Sequence, residues 1–422
     1  MSSFTFVHAA DIHLDTPFTG LRRMPEAFRD VVRKSTFLAF DRLIEVCITE
    51  KADFLLIAGD VYDAADRSLR AQLYFRQGMR RLHEHGVNVY VIHGNHDPDD
   101  GKQARITWPN NVHFFKTEQV THMLFCKEEK ELARIYGISY PRARIEENYA
   151  SLFKRADSLY SIAMLHTNVD ASGLHANYAP CTKQELIGAG FDYWALGHVH
   201  TRAVLNKEPY IVYPGNTQGR SAVETGERGC YVVKVDKGTT SLAFRPLDAV
   251  RWEEAVLDIS QVSGEPQLFE AIEAHREEIR CRAEGKPVIL RLNIQGTSSF
   301  YRVLADNGYI SQLLQALNEE EEGREDFVYL ADIENRTLAA GDRIEVASGD
   351  DLLGDLLRQG AAIGEDSSQL QDFVHRALSD VMEHYQLKKY VQYTEVEHRD
   401  ILKQAQELAV TLLRPEGDSH EN

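Results

Sequence analysis

The chain has 422 residues, 43% of them hydrophobic and 27% charged, enough apolar content for two or three domains. No uncharged run is long enough to span a bilayer, and its five scattered cysteines form no Cys-x-x-Cys pair, which argues against a disulfide framework or a zinc-thiolate site. The net charge of −18 is uneven: residues 1–250 hold 30 basic and 30 acidic side chains, whereas 251–422 hold 17 and 35, a shift that marks a boundary and counts against tight, unaided DNA binding.

In chain order, Phe4-Thr5-Phe6-Val7-His8-Ala9-Ala10 reads as a strand ending in Asp11-Ile12-His13. Residues two apart on extended backbone share a face, so Asp11 and His13 can reach one metal ion. A helix is expected over 25–50, with Phe28, Val32, Leu43 and Val46 on its apolar stripe. Phe54–Ala58 is a continuous apolar strand of the parallel-sheet kind, and Gly59-Asp60-Val61-Tyr62-Asp63 follows it. A second helix over 68–84 leads to the alternating strand Val87–Ile92 and then to Gly94-Asn95-His96-Asp97. The order is β-α-β-α-β, with each polar group placed just after a strand, on the sheet edge where α/β proteins bind ligands.

Lys102, Arg105 and Trp108 lie in a polar loop at 98–111 and are candidates for contacting a nucleic-acid backbone or base, although Trp108 could equally pack beneath the next strand. Short strands are expected at 112–115, 122–125 and 134–138, and a buried one at 161–165 that ends in His166. After a helix near 183–187, the strand Tyr193–Leu196 runs into Gly197-His198-Val199-His200. His83-Glu84-His85 has the same spacing, but late in a helix its two rings stand about 200° apart and should not share a metal. His198 and His200 leave a strand and can.

A strand and turn at Tyr210–Asn216 and a hairpin at 230–235 and 241–244 complete the first region. Beyond it, strands at 255–259, 288–294 and 327–333 alternate with helices at 267–279 and 301–317, enough for a small α+β domain at 251–347. Residues 348–422 read as helical, with one stripe of Leu370, Phe373, Val374, Ala377, Val381 and Met382 and another of Ile401, Ala405, Leu408 and Leu412, a candidate partner-binding region.

Together, Asp11, His13, Asp60, Asn95, His96, His166, His198 and His200 form five clusters at successive strand ends, which indicates a metal site. Carboxylate, amide and imidazole donors without thiolate favour Mn²⁺, Fe or Zn²⁺ over Ca²⁺ or a structural zinc. The donors exceed the needs of one ion, but two ions sharing a carboxylate would use them. Such a pair, about 3.5–4 Å apart, clamps the attacking and leaving oxygens of a displacement at phosphorus.

The order Asp-x-His, Gly-Asp-x-x-Asp, Gly-Asn-His-Asp, a lone His and Gly-His-x-His resembles that of the calcineurin-like metallophosphoesterases. Within them the chain is similar to SbcD-type DNA-repair nucleases, and the run from Asp11 to Leu21 resembles their bacterial YhaO-type branch. The resemblance implies an α/β fold, a β-sandwich flanked by helices over 1–250, followed by an α+β capping domain. It also implies a DNA nuclease with two divalent ions, Mn²⁺ foremost, acting as a homodimer with an SbcC-like SMC-type ATPase. The scattered cysteines point to a reducing cytoplasm, and the lack of a spanning run to no membrane partner. Carried over by motif, Asp11, His13 and His200 would hold one ion, Asn95, His166 and His198 the other, and Asp60 would bridge them. His96 would protonate the leaving oxygen, with Asp63 and Asp97 orienting groups behind the ligands. Asn216 departs from the Ser usual in the family's Tyr-Pro-Gly turn. Two other readings are a phosphodiesterase for nucleotides or small phosphodiesters, and a non-catalytic scaffold that binds DNA ends; an intact His96 argues against the latter.

Overall fold

In the computed structural model, residues 3–16, 18, 24–63, 68–100, 106–170, 178–298, 300–339 and 352–379 are described, with scattered positions between 394 and 409. They fall into two compact units, one from Met1–Glu253, Arg282–Leu290 and Glu321–Tyr329, the other from Glu254–Cys281, Arg291–Glu320 and Leu330–Asn422.

The first unit is built on two six-stranded sheets. One runs β12-β11-β1-β2-β3-β4, where β1 is Phe4–Ala9, β2 Phe54–Ala58, β3 Asn88–Ile92, β4 Val112–Phe114, β11 Gly229–Asp236 and β12 Thr239–Pro246. Strands β1 to β4 are parallel, and the β11–β12 hairpin adds antiparallel to β1. The other runs β5-β6-β7-β8-β10-β9, where β5 is Thr121–Lys127, β6 Lys130–Gly137, β7 Tyr160–His166, β8 Tyr193–Gly197, β9 Ala203–Lys207 and β10 Tyr210–Tyr213. Here β6, β7, β8 and β10 are parallel, with β5 and β9 antiparallel at the rims.

Alternation along each strand splits the apolar side chains between two cores. Phe4, Phe6, Phe54, Leu56, Tyr90 and Ile92 face Ile135, Ile162, Met164, Tyr193 and Val212 across the space between the sheets. Phe6 and Phe54 stack there with ring centroids 5.1 Å apart. The intervening residues Val7, Ala9, Leu55, Ile57, Val89 and Val91 face outward onto α1 (Glu26–Thr49) and α2 (Leu69–Glu84) through Phe40, Leu43, Ile44, Phe75, Met79 and Leu82. The outer face of the second sheet is covered by Phe153, Phe191 and Leu186 of α3 (Lys183–Gly188), which pack on Trp194, Leu165 and Ile211. Helix α2 starts at Ser68, whose Oγ accepts the Ala71 N–H at 3.0 Å. The result is a helix–sheet–sheet–helix sandwich. The parallel strands β1, β2 and β3 of one sheet and β7 and β8 of the other end where the candidate ligands begin.

Strands β13 (Arg251–Asp258), β14 (Val288–Ser298) and β15 (Val328–Ala339) form a third sheet in that order. Helix α4 (Glu265–Arg282) buries Leu268, Ile272 and Ile279, and the Arg276 guanidinium donates to the Leu317 carbonyl at 2.8 Å. The single helix expected over 301–317 is two: α5 (Tyr301–Leu304) and α6 (Asn307–Glu319). Asp306 leaves the helix to cap α6, accepting the Gly308 N–H at 2.7 Å, and Asn307-Gly308 are weak helix formers that offer no resistance to the break. Helices Leu352–Glu365 and Ser367–Ala377 follow, with Leu370 and Val374 buried. Leu408 and Leu412 of the last expected stripe, and Val381 and Met382, lie outside the described residues. Among the described residues, no helix is long and apolar enough to cross a membrane.

Candidate metal centre

The turns after β1, β2, β3, β7 and β8 converge. Asp11, His13, Asp60, His166 and Asn95 are all buried. Asp11, His13, Asp60 and His198 have φ of 50°, 46°, 51° and 99°, in the left-handed region that non-glycine residues enter at a cost of about 1–3 kcal/mol each. Backbone hydrogen bonds hold these turns: Asp11 N–H to Gly59 O at 3.1 Å and His13 N–H to Asp60 O at 3.0 Å. Gly94 has no room for a side chain, since a Cβ there would stand 2.2 Å from Asp60 Oδ1.

The donor atoms face one another. His13 Nε2 and His200 Nε2 are 3.2 Å apart. Asn95 Oδ1 lies 2.9 Å from His166 Nε2 and 3.1 Å from His198 Nδ1, and His166 Nε2 is 3.3 Å from Asp60 Oδ2. Ligand atoms of Asp11, His13 and His200, and of Asp11, Asp60 and His166, each lie within 4.8 Å of one another. Facing imidazole nitrogens repel unless a cation or proton lies between them, so this donor set fits divalent ions.

Groups behind the donors fix their tautomers. The His166 Nδ1–H donates to the Ala58 carbonyl at 2.9 Å and the His200 Nδ1–H to Glu224 Oε1 at 2.7 Å, which leaves both Nε2 lone pairs for a metal. The Asp11 carboxylate accepts the His198 N–H at 3.1 Å. Burial lifts the Asp11 carboxyl to about 6. Burial alone would lower His166, but the facing Asp60 carboxylate outweighs it and lifts the imidazole to about 9. Burial likewise opposes the Asp60 charge, yet His166, His13 and His96 together hold that carboxyl well below its ordinary range.

His96 stands at the mouth. Its ring is 4.9 Å from that of His13, and its Nδ1 is 2.6 Å from Asp63 Oδ1; the Asp63 hydrogen bond raises the imidazole above its ordinary pKa. Asp63 also lies 3.4 Å from His13 Nδ1 and accepts from Thr16 Oγ1. Asp97 acts through the backbone. It accepts the Val61 and Gly94 N–H groups, both at 2.8 Å, and so ties the turn after β2 to the turn after β3. Of the three candidate DNA contacts, Lys102 and Arg105 lie outside the described residues. Trp108 is half-buried and packs on two rings, 5.7 Å from that of Phe75 and 5.4 Å from that of Phe114. His83 and His85 are exposed at the end of α2, away from the donors, as their helical spacing predicts.

Sequence reasoning missed the loop after β10. Glu224 orients His200, and burial, which would raise its carboxyl, is outweighed by that imidazole, leaving it at about 2. Asn216 is fully buried and donates to Glu224 Oε2 at 2.8 Å while accepting from Arg228 at 3.2 Å, so it positions this carboxylate. The structure explains the placement: β10 is parallel to β8, so its C-terminal end opens on the same edge.

The chain belongs to the calcineurin-like phosphoesterase family, which it matches over residues 4–202, and it is a metallophosphoesterase, an enzyme of a class that works with divalent metal ions. Residues 252–338 match the middle domain of the metallophosphoesterase YhaO. YhaO of Bacillus subtilis (strain 168) is 40% identical, over 80% of this chain and 83% of its own length. The DNA double-strand break repair protein Mre11 of Thermoplasma acidophilum is 23% identical over 83% of this chain and 91% of its own. The SbcD component of the nuclease SbcCD of Bacillus subtilis is 24% identical over 62% and 70%.

Proposed function

We propose that this metallophosphoesterase is a two-metal nuclease that hydrolyses phosphodiester bonds at DNA ends in repair. The observation that carries the reading is the convergence of seven donors from two sheets beside a half-exposed His96 paired with Asp63. In this reading Asp11, His13 and His200 would hold one ion, Asn95, His166 and His198 the other, and Asp60 both, and the mixed nitrogen and oxygen donors favour a transition ion such as Mn²⁺ over Ca²⁺. Divalent ions held there would supply Lewis acidity to the phosphoryl oxygens and to the attacking water. His96 gives its proton to the leaving oxygen, and the Asp63 hydrogen bond, which raises the imidazole above its ordinary pKa, favours the protonated form. The relatives named for double-strand break repair and for SbcCD support DNA as substrate and an SbcC-like SMC-type ATPase as partner. The acidic excess in residues 251–422 counts against tight, unaided DNA binding. A homodimer, a cytoplasmic location, a capping role for 251–347 and partner binding by 348–422 complete the proposal.

The test supplies metal-stripped protein with Mn²⁺ or Ca²⁺ and offers labelled single- and double-stranded DNA beside a chromogenic phosphodiester. Mn²⁺ should restore DNA degradation and Ca²⁺ should not. Hydrolysis of the chromogenic ester alone would sink the DNA assignment, and equal rates with Ca²⁺ would sink the two-ion assignment.

A further inference from the structure

Arg220, in the loop after β10, has more hydrogen-bond capacity than its surroundings use. Its side chain is 18% exposed and lies against the candidate ligand groups. Nη1 donates to Asp63 Oδ2 at 3.2 Å. Nη2 is 3.4 Å from His200 Nδ1, but the hydrogen on that nitrogen is directed at Glu224 Oε1, 2.7 Å away, so two donors face each other and no bond forms. Glu224 Oε1, 3.7 Å from Nη2, forms an ion pair with it but lies beyond hydrogen-bond reach. Nε is buried and has no partner. A guanidinium presents five N–H donors in a planar fork, and the edge formed by Nε and Nη2 is the one that grips two oxygens side by side. Here that edge is unspent.

The loop that holds it is built firmly. The Arg220 N–H donates to Glu224 Oε2 at 2.7 Å, and the Trp252 indole donates to the Gly219 carbonyl at 2.9 Å. Gln218 bonds the Val250 carbonyl at 2.6 Å and the Ala249 N–H at 2.7 Å. Leaving charged donors partly buried without acceptors is costly, and the cost is recovered when an anion arrives. The chemistry required is that of a tetrahedral anion with two free oxygens, which is the group a phosphoesterase handles.

We propose that Arg220 is a substrate-binding residue whose Nε–Nη2 edge receives the non-bridging oxygens of the phosphate, while Nη1 stays on Asp63. The assignment rests on the phosphoesterase reading of the site and adds a contact supplied by the protein itself. It also gives Asp63 two tasks, since the carboxylate that holds His96 holds the phosphate-binding guanidinium too.

Arg220→Gln and Arg220→Lys, loaded with Mn²⁺, test this through elemental analysis, calorimetric titration with inorganic phosphate, and kcat and KM on bis(p-nitrophenyl) phosphate. Arg220→Gln should keep the parent's metal content, bind phosphate roughly tenfold or more weakly, and show a raised KM. Arg220→Lys should recover part of the phosphate affinity, because it restores the charge without the fork. Unchanged phosphate affinity in Arg220→Gln overturns the proposal, and so does loss of metal, which would mean that the residue acts only by holding ligands. If Arg220→Gln does not fold, Arg220→Lys decides: affinity equal to the parent's overturns the role of the fork. A metal-loaded parent that neither binds phosphate nor hydrolyses the ester defeats the phosphoesterase reading itself, an outcome separate from those of the variants.

Discussion

His96 and Asp60 meet through one hydrogen bond, from the His96 N–H to Asp60 Oδ1 at 2.9 Å, yet they should respond differently to mutation. His96 spends its Nδ1 on Asp63 and is half exposed, whereas Asp60 is buried among His13, His166 and the backbone of the Gly94 turn. His96→Asn should therefore keep its metal and lose turnover by about 10²–10⁴, the usual contribution of a general acid. Asp60→Asn removes the carboxylate that offsets charge from both proposed ions, and it should lose metal as well as rate. Elemental analysis beside a turnover assay separates the two. If His96→Asn sheds an ion, the ring is a ligand; if it keeps full activity, water protonates the leaving group.

At the scale of turns and strands, Gly94 shows how little slack the ligand edge has. Gly94→Ala places a methyl group against Asp60 Oδ1 and His166 Cε1, two residues beyond the end of β3 and clear of its pairing with β2. The variant should fold with near-parental circular dichroism and bind Mn²⁺ at least tenfold more weakly, as judged by calorimetry; parental affinity would show that the turn can give. The same edge explains what could be read from the residues alone. Asp11, Asp60, Asn95, His166 and His198 were legible because each follows a buried, strongly apolar strand, so their positions came with the strand ends. Arg220 and Glu224 were not, because they stand six and ten residues past Pro214 in a mixed polar loop that has no periodicity. Strand β9 escaped notice for a related reason: Ala203–Lys207 is a half-exposed rim strand, paired on one side with β10. The break at Asp306 was hidden by an apolar pattern that runs through both helices, with Leu304 on one side of it and Leu313 and Leu317 on the other.

Across the whole catalytic sandwich, acid sensitivity has an identifiable source in the core between the sheets. His8 is fully buried on β1, with Nδ1 3.0 Å from the Tyr193 hydroxyl, and burial holds its pKa at about 3 against 6.5 for a free imidazole. Below about pH 6.5 the unfolded chain takes up a proton that the folded chain refuses until about pH 3, so folding stability falls as pH falls through that window. The loss from this one group approaches roughly 1.4 kcal/mol per pH unit. Urea unfolding of metal-free protein from pH 7 to pH 4.5 should show a shallower pH dependence in His8→Leu than in the parent. Identical slopes would place the sensitivity elsewhere.

The division of donors between the sheets has a consequence for how the polypeptide matures. Asp11, His13, Asp60 and Asn95 come from the first sheet, while His166, His198 and His200 come from the second. Moreover, β1 is flanked on one side by β2 and on the other by β11, a strand that leaves the ribosome after every one of these donors has been made. The nascent chain thus carries its donors on an incomplete first sheet until β11 has been made, and the long-range β1–β11 pairing follows all seven of them in the chain. The full donor set therefore stands on a complete sheet only once β11 and β12 have been made, at Pro246 of a 422-residue chain.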